Sequence, residues 1–253
     1  MRTTVTLETL FRWLLTSALI SLMIAAMFRD RLPVPSWYRL SELGEPVQRA
    51  TEKEAFTVRV DKEQYRVQPR FNYDLQGVVV SYHDADAFSD IWHHNLWKDF
   101  LNVRDICVVW GDNVASGVYR DVEFSNDSWT CWVRWPDQAT GARFRLNQIS
   151  NNHLLVDRPE VRKAVMSARP GDRIHLKGYL ADYRNLRDGF WRRTSTTRED
   201  TGNGACEVVY VERFDVVSAA NSGMRGLYQV SKWLALLAFP GSLFFFVTAP
   251  PRL

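Results

Sequence analysis

Cysteine is scarce in this chain: three thiols in 253 residues, at Cys107, Cys131 and Cys206. An odd count excludes a full disulfide framework. None of the three stands in a CxxC or Cys/His zinc spacing, so no metal site is expected. Cys107 and Cys131 fall on neighbouring expected strands, which leaves one bridge between them open, with Cys206 free. The count alone leaves the redox compartment undecided. A surplus of one charge sign is also missing. The 32 Lys and Arg nearly balance 29 Asp and Glu, for a net charge of +3. That excludes a polycation built for nucleic acid, so any anion-binding surface has to be local. The sequence has no Gly-rich phosphate loop, nucleophile elbow, Ser-His-Asp order or spaced carboxylate pair. No cofactor is expected. These absences do not exclude catalysis, because active sites assemble in space.

Apolar runs are present at both ends. Trp13 to Phe28 is an uncharged run of 16 residues between Arg12 and Arg29. As a helix it spans about 24 Å, slightly less than the hydrocarbon core, a gap that snorkelling arginines can close. A cleaved signal peptide would need Ile24-Ala25-Ala26 as its cleavage site, where Ile24 is too large, so an uncleaved anchor is expected. Trp233 to Pro251 is the second run, 19 residues between Lys232 and Arg252. Its central Pro240-Gly241 is tolerated in a membrane helix, and its three consecutive Phe suit lipid. The expected plan is an anchor at 1–31, a linker at 32–54, a soluble β domain at 55–218, a linker at 219–232 and a transmembrane helix at 233–253. Two spans put both termini on one side and the domain on the other. Lys and Arg near the spans lean toward a cytoplasmic domain. A signal-anchor with a very short polar head favours export, and the exported side is the expectation.

Between the ends the periodicity is mostly that of strands. Phe56–Val60 and Leu75–Tyr82 alternate, and Ile106–Trp110, Val122–Phe124 and Trp129–Trp135 follow, with Arg143–Leu146 a further candidate. Phe88, Trp92, Leu96 and Phe100 recur every four residues, a helical stripe that Asp84 or Asp86 would cap. Asp157 to Ala168 reads as a helix with a capping box, Asp157 and Glu160, ended by Pro170-Gly171. A long strand follows to Tyr183, with Gly178 marking a bend or bulge. A polar loop, Arg184 to Gly204, leads to a last strand, Cys206 to Val217. The ten Trp are expected mainly in the core.

This order, three strands, a helix and two strands, resembles the oligonucleotide/oligosaccharide-binding (OB) fold over Leu75 to Val217. The resemblance implies a mainly β (α+β) class: a small OB-like five-stranded barrel with a helix between strands 3 and 4 and a helical insertion, flanked by the terminal transmembrane helices. The blocks YDLQGVVVSYH, DICVVWGDN, SNNHL, GDRIHLKGYL and TSTTREDTGNGACEVVYV are similar to those of a group of uncharacterised bacterial membrane-anchored proteins. That likeness implies an architecture and no activity. The expected location is a bacterial inner membrane, with the domain in the periplasm.

The loop after Arg184 is rich in groups that hold anions. Arg184, Arg193 and Arg198 offer forked donors, Ser195 a hydroxyl, and Trp191 a stacking surface, with Asp200 nearby. In a barrel of this type the loop rims the usual ligand face, and Asn151, Asn152 and His153 can contribute to that face. The bland alternative is a solvated hairpin tip whose charges pair with one another. His93-His94-Asn95 resembles the residue order of HNH nucleases, with no ligand spacing to support it. The expected function is a membrane-tethered β-barrel binding module of the bacterial envelope, holding an anionic polymer or a protein partner; nucleic acid is not favoured. The first alternative is a phosphodiester or glycan hydrolase using the Arg/Ser/Asp loop with His153. The second is a structural subunit of a membrane complex.

Overall fold

The structure is a computed structural model that describes residues 2–85, 98–187, 189–200 and 205–248. It is a mixed α+β chain, mostly sheet, with an apolar helix at each end. Helix α1 (Arg2–Phe28) comes first. Strands β1 (Val47–Ala50), β2 (Phe56–Val60), β3 (Glu63–His83) and β4 (Asn102–Val109) follow. A short helix α2 (Gly111–Ala115), the hairpin of β5 (Glu123–Asn126) and β6 (Cys131–Arg134), and helix α3 (Gln138–Arg143) come next. The chain ends with β7 (Ile149–Leu155), α4 (Pro159–Ser167), β8 (Arg173–Asn185), β9 (Trp191–Arg192), β10 (Glu207–Ser218) and α5 (Ser222–Thr248). Met1–Arg31 and Asn221–Leu253 form one compact unit and Leu32–Ala220 another.

In the second unit the main sheet runs β1-β3-β4-β7-β10-β8-β9, with β2 also on β3. Strand β3 is long enough to pair with both β4 and β8, so the pairings β3-β4-β7-β10-β8 return to β3. Within that circuit only β7 and β10 are parallel. Leu75, Ile106, Leu154, Leu176 and Val209, one from each of the five strands, are fully buried in one cluster. Such a side chain stabilises by about 1.5–3 kcal/mol. Val161 and Val165 of α4 join the same cluster. The expected capping box does not form: Arg158 is the N-cap, without a side-chain cap, and the Asp157 carboxylate instead accepts from the Tyr210 hydroxyl at 2.9 Å. A Cβ at Gly178 would lie 2.0 Å from the Tyr210 carbonyl oxygen. The bulge expected near Gly178 falls on the facing strand, between Val211 and Arg213; the glycine lets the two backbones close together.

A second cluster packs Tyr38, Leu43, Val80, Cys107, Val109, Tyr119 and Phe144. The 32–54 segment therefore folds onto the domain rather than acting as a linker, because Tyr38 and Leu43 are buried and the Tyr38 hydroxyl donates to the Gly171 carbonyl at 2.8 Å. The expected strand at Arg143–Leu146 is instead the end of α3 and a 3-10 turn, with Phe144 in the cluster. The stripe from Phe88 to Leu96 and the His93-His94-Asn95 triplet lie outside the described residues, and so does Asp86. Asp84 pairs with the buried Arg104 at 2.5 Å.

In the first unit both helices are long and apolar enough to cross a membrane, and 11% of the most apolar window of each is buried. Leu7–Phe28 covers 22 residues, about 33 Å as a helix. The helix thus extends past Arg12, which pairs with Glu8 at 3.5 Å. Helix α5 starts at Ser222 and takes in most of the expected 219–232 linker, and Pro240 stays inside it. Phe11 and Phe245 stack at 5.5 Å. Gly241 lies against the Phe11 ring, where a Cβ would come within 2.4 Å.

Candidate functional site: an arginine groove and a buried histidine network

The sequence-derived site residues separate into three places. The first is an open groove of about 640 Å³ lined by Arg66, Gln68, Arg70, Asp182, Arg184, Trp191 and Arg193. Strand alternation builds it, since residues two apart share a face. Arg66 of β3 lies directly opposite Arg184 of β8, and Arg184 opposite Trp191 of β9. Arg70 pairs with Asp182 through Nε and Nη2, at 2.9 and 2.6 Å. The Arg193 guanidinium lies 4.8 Å from the Trp191 ring centre. Arg66 and Arg184 are exposed, and neither has a carboxylate partner among the described residues. Like charges opposed across strands are unfavourable, and an anion between them relieves that repulsion.

Arg198 is not in the groove. Its Nη1 donates to Glu207 Oε1 at 2.8 Å, and its guanidinium lies 5.5 Å from the ring centres of both Tyr73 and Trp110. Burial pushes Glu207 up to about 7, although Arg198 pulls the other way. Asn152 faces the same interior, in register with Glu207, and its amide donates to Ser150 Oγ at 2.8 Å. Around this ion pair the Tyr73 hydroxyl, the Trp110 indole nitrogen, Asn152 Oδ1 and Glu207 Oε2 are buried without a protein partner among the described residues, an arrangement suited to ordered water. Ser195 and Asp200 organise the loop itself: the Ser195 hydroxyl donates to Asp200 Oδ2 at 2.7 Å.

The third place is a buried network on the outer face of β4 and β7. His153 lies opposite Asp105, with Nδ1 to Oδ1 at 2.6 Å and both side chains fully buried. Arg192 Nη2 lies 2.8 Å from His153 Nε2 and can only donate there, so the ring proton sits on Nδ1 toward Asp105. The Trp129 ring covers the imidazole at 5.2 Å, and Arg192 sits 3.9 Å over Trp129. Burial disfavours the imidazolium, but the Asp105 charge and hydrogen bond outweigh it and hold His153 above its ordinary value. Cys206 Sγ lies 3.5 Å from both the Asn151 amide and the Trp129 carbonyl oxygen. Burial would raise this thiol, yet hydrogen bonding to His153 and the charge of that ring bring it below the ordinary value. Behind them, burial raises Asp99 to about 6 against the pull of the Tyr183 hydroxyl, which donates to it at 2.5 Å.

Arg184, Trp191 and Arg193 thus come together; Asn151 and His153 belong to the buried network; Arg198 and Asn152 face the interior. Cys107 and Cys131 are joined in a disulfide, Cα–Cα 5.9 Å, and Cys206 is free. The groove residues on β3 escaped the sequence reading, although the alternation of Arg66, Gln68 and Arg70 with buried Tyr65, Val67 and Pro69 carries the signal. No signal in the sequence joins Asp105, Arg192 and Cys206, because they converge only through pairing. Comparison with protein families, curated proteins and solved structures finds no match to this chain.

Proposed function

We propose that this chain is a membrane-tethered binding module whose soluble domain is an OB-type barrel and whose arginine groove takes an anionic polymer. What supports the barrel is the closed strand circuit, its single parallel pair, and the placement of α4 between the third and fourth of its five strands. The terminal helices support the tether, and the Cys107–Cys131 disulfide favours a domain on the oxidising, periplasmic side of a bacterial inner membrane.

One observation carries the binding reading: Arg66 and Arg184 oppose each other across β3 and β8, and neither has a carboxylate partner among the described residues. A phosphate or carboxylate bridging them gains charge-assisted hydrogen bonds of about 1.5–3 kcal/mol each. Trp191 beside them offers a face for a sugar or base. Trp191 fluorescence provides the test. A sulfated or phosphorylated polysaccharide should alter the emission of the full chain in neutral detergent, and a Trp191→Phe variant should lose that response. An unaltered spectrum at saturating polymer, with no binding by a second method, would defeat the reading.

A further inference from the structure

The Asp105–His153–Cys206 cluster is unused by the groove, and it sits beside the one disulfide of the chain. Cys107 lies opposite Asn151 across β4 and β7. On the other side of β7, the strand of Cys206 runs in parallel register, with Glu207 opposite Asn152. The Asn151 amide lies 3.5 Å from Cys206 Sγ, and Asn151 Oδ1 accepts from Asn126, the cross-strand partner of Cys131, at 3.0 Å. The Trp129 carbonyl accepts from both Asn151 and Cys206, and Trp129 stands two residues before Cys131. One asparagine therefore joins the free thiol to both halves of the disulfide. Direct pairing of Cys206 with Cys107 would span two strand spacings, nearly 10 Å, which is too far for a bridge. Cys131 is on the separate β5–β6 hairpin, is partly exposed, and stands two residues from Trp129, whose carbonyl touches Cys206, so it is the sulfur that a shift of the hairpin would bring to Cys206.

We infer that Cys206 is the nucleophile of an internal thiol–disulfide exchange with the Cys107–Cys131 bridge, with His153 as its base and Asp105 as the residue that positions that base. The Cys206 thiol gives its proton to His153 Nε2, and Asp105 holds the resulting imidazolium through Nδ1. The thiolate attacks Cys131 Sγ. The Cys206–Cys131 bond forms, the Cys107–Cys131 bond breaks, and Cys107 leaves with the electron pair and takes up a proton. One disulfide and one thiol are present before and after, so no oxidant is consumed. Trp129 links the two groups, with its carbonyl oxygen 3.5 Å from Cys206 Sγ and its ring 5.2 Å from the imidazole, and the lowered thiol and raised imidazole proton affinities suit this transfer. Arg192 occupies Nε2 in this structure, so it must yield or share that lone pair for the transfer to occur. The product ties the hairpin to β10 instead of β4.

Disulfide mapping of the full-length chain in detergent tests this. The oxidised protein is held at neutral pH in a glutathione buffer, quenched in acid, labelled with a maleimide and digested. The expected result is a Cys131–Cys206 peptide pair together with label on Cys107. In a Cys107→Ser variant, glutathione disulfide should drive a Cys131–Cys206 bridge. His153→Gln and Asp105→Asn should slow the exchange at least tenfold at pH 7, and the His153→Gln rate should recover toward pH 9 as the thiol ionises unaided. Label confined to Cys206 in the parent, with no bridge in Cys107→Ser, would overturn the exchange. Parent-like rates in both network variants would overturn the assignment of base and positioning residue. The parent measurement stands even if a variant does not fold.

Discussion

Replacing Arg198 with Ala gives the sharpest energetic test of the packed interior. Arg198 is 14% exposed and its partner Glu207 6%. Truncating one member of a buried pair leaves the other charge uncompensated and costs about 3–5 kcal/mol. Glu207 can escape that cost by taking a proton. Its folded value is pushed to about 7 from 4.5 even with Arg198 in place, and without Arg198 it rises further. At pH 8.5 the variant must either bury a naked carboxylate or protonate it against the solution, so the loss should approach the full 3–5 kcal/mol. At pH 5.5 the carboxyl is already largely protonated, and the loss should shrink to that of a neutral hydrogen bond and some packing, about 1–2 kcal/mol. Urea unfolding of the full chain in detergent, followed by tryptophan fluorescence at both pH values, reads the difference. A loss below about 1 kcal/mol at both pH values would refute the buried pair. An equal, large loss at both would show that the effect is packing and not charge.

The parent protein should itself be more stable near pH 5 than near pH 8. Glu207 and Asp99 have folded values raised to about 7 and about 6, so each contributes most below its unfolded value and loses that contribution as pH rises through the folded one. His153, also raised, acts in the same direction from its ordinary value upward. A flat melting temperature from pH 5 to 8 would contradict this. Gly178→Ala should destabilise by about 3 kcal/mol or more, because its Cβ would sit 2.0 Å from the Tyr210 carbonyl oxygen; a parent-like denaturation midpoint would show that the strands can part. Reducing the Cys107–Cys131 bridge, which spans 24 residues of sequence, should lower stability by roughly 3 kcal/mol, and parent-like melting in reductant would contradict it.

What the sequence made legible follows from local pattern. Uncharged runs predict both terminal helices, alternation predicts the body of β2 and β8, and the apolar stretch after the polar loop predicts β10. The helix before Pro170 was visible from its apolar spacing, although its expected cap was not used, because Tyr210, 53 residues away, claims Asp157. The Pro and charge content of the 32–54 segment resembles a linker, while the packing partners of Tyr38 and Leu43 lie more than thirty residues downstream. The loop after Arg184 was visible as a basic, aromatic segment. That Arg193 would lie in the groove while Arg198 turns inward to Glu207 was not, since the choice depends on a carboxylate on another strand. The same holds for Cys206, whose surroundings come from β4, β7 and the hairpin.

The salt dependence of polyanion binding to the full chain, compared with an Arg66→Ala/Arg184→Ala double variant, tests the groove most directly. These two guanidiniums are exposed and pair with no carboxylate among the described residues, so the variant should fold as the parent does. The account predicts that it binds a sulfated or phosphorylated polymer at least tenfold more weakly at low salt, with a shallower fall of affinity as salt rises, because fewer counterions are released. Equal affinity and an equal salt slope in the two proteins would contradict it.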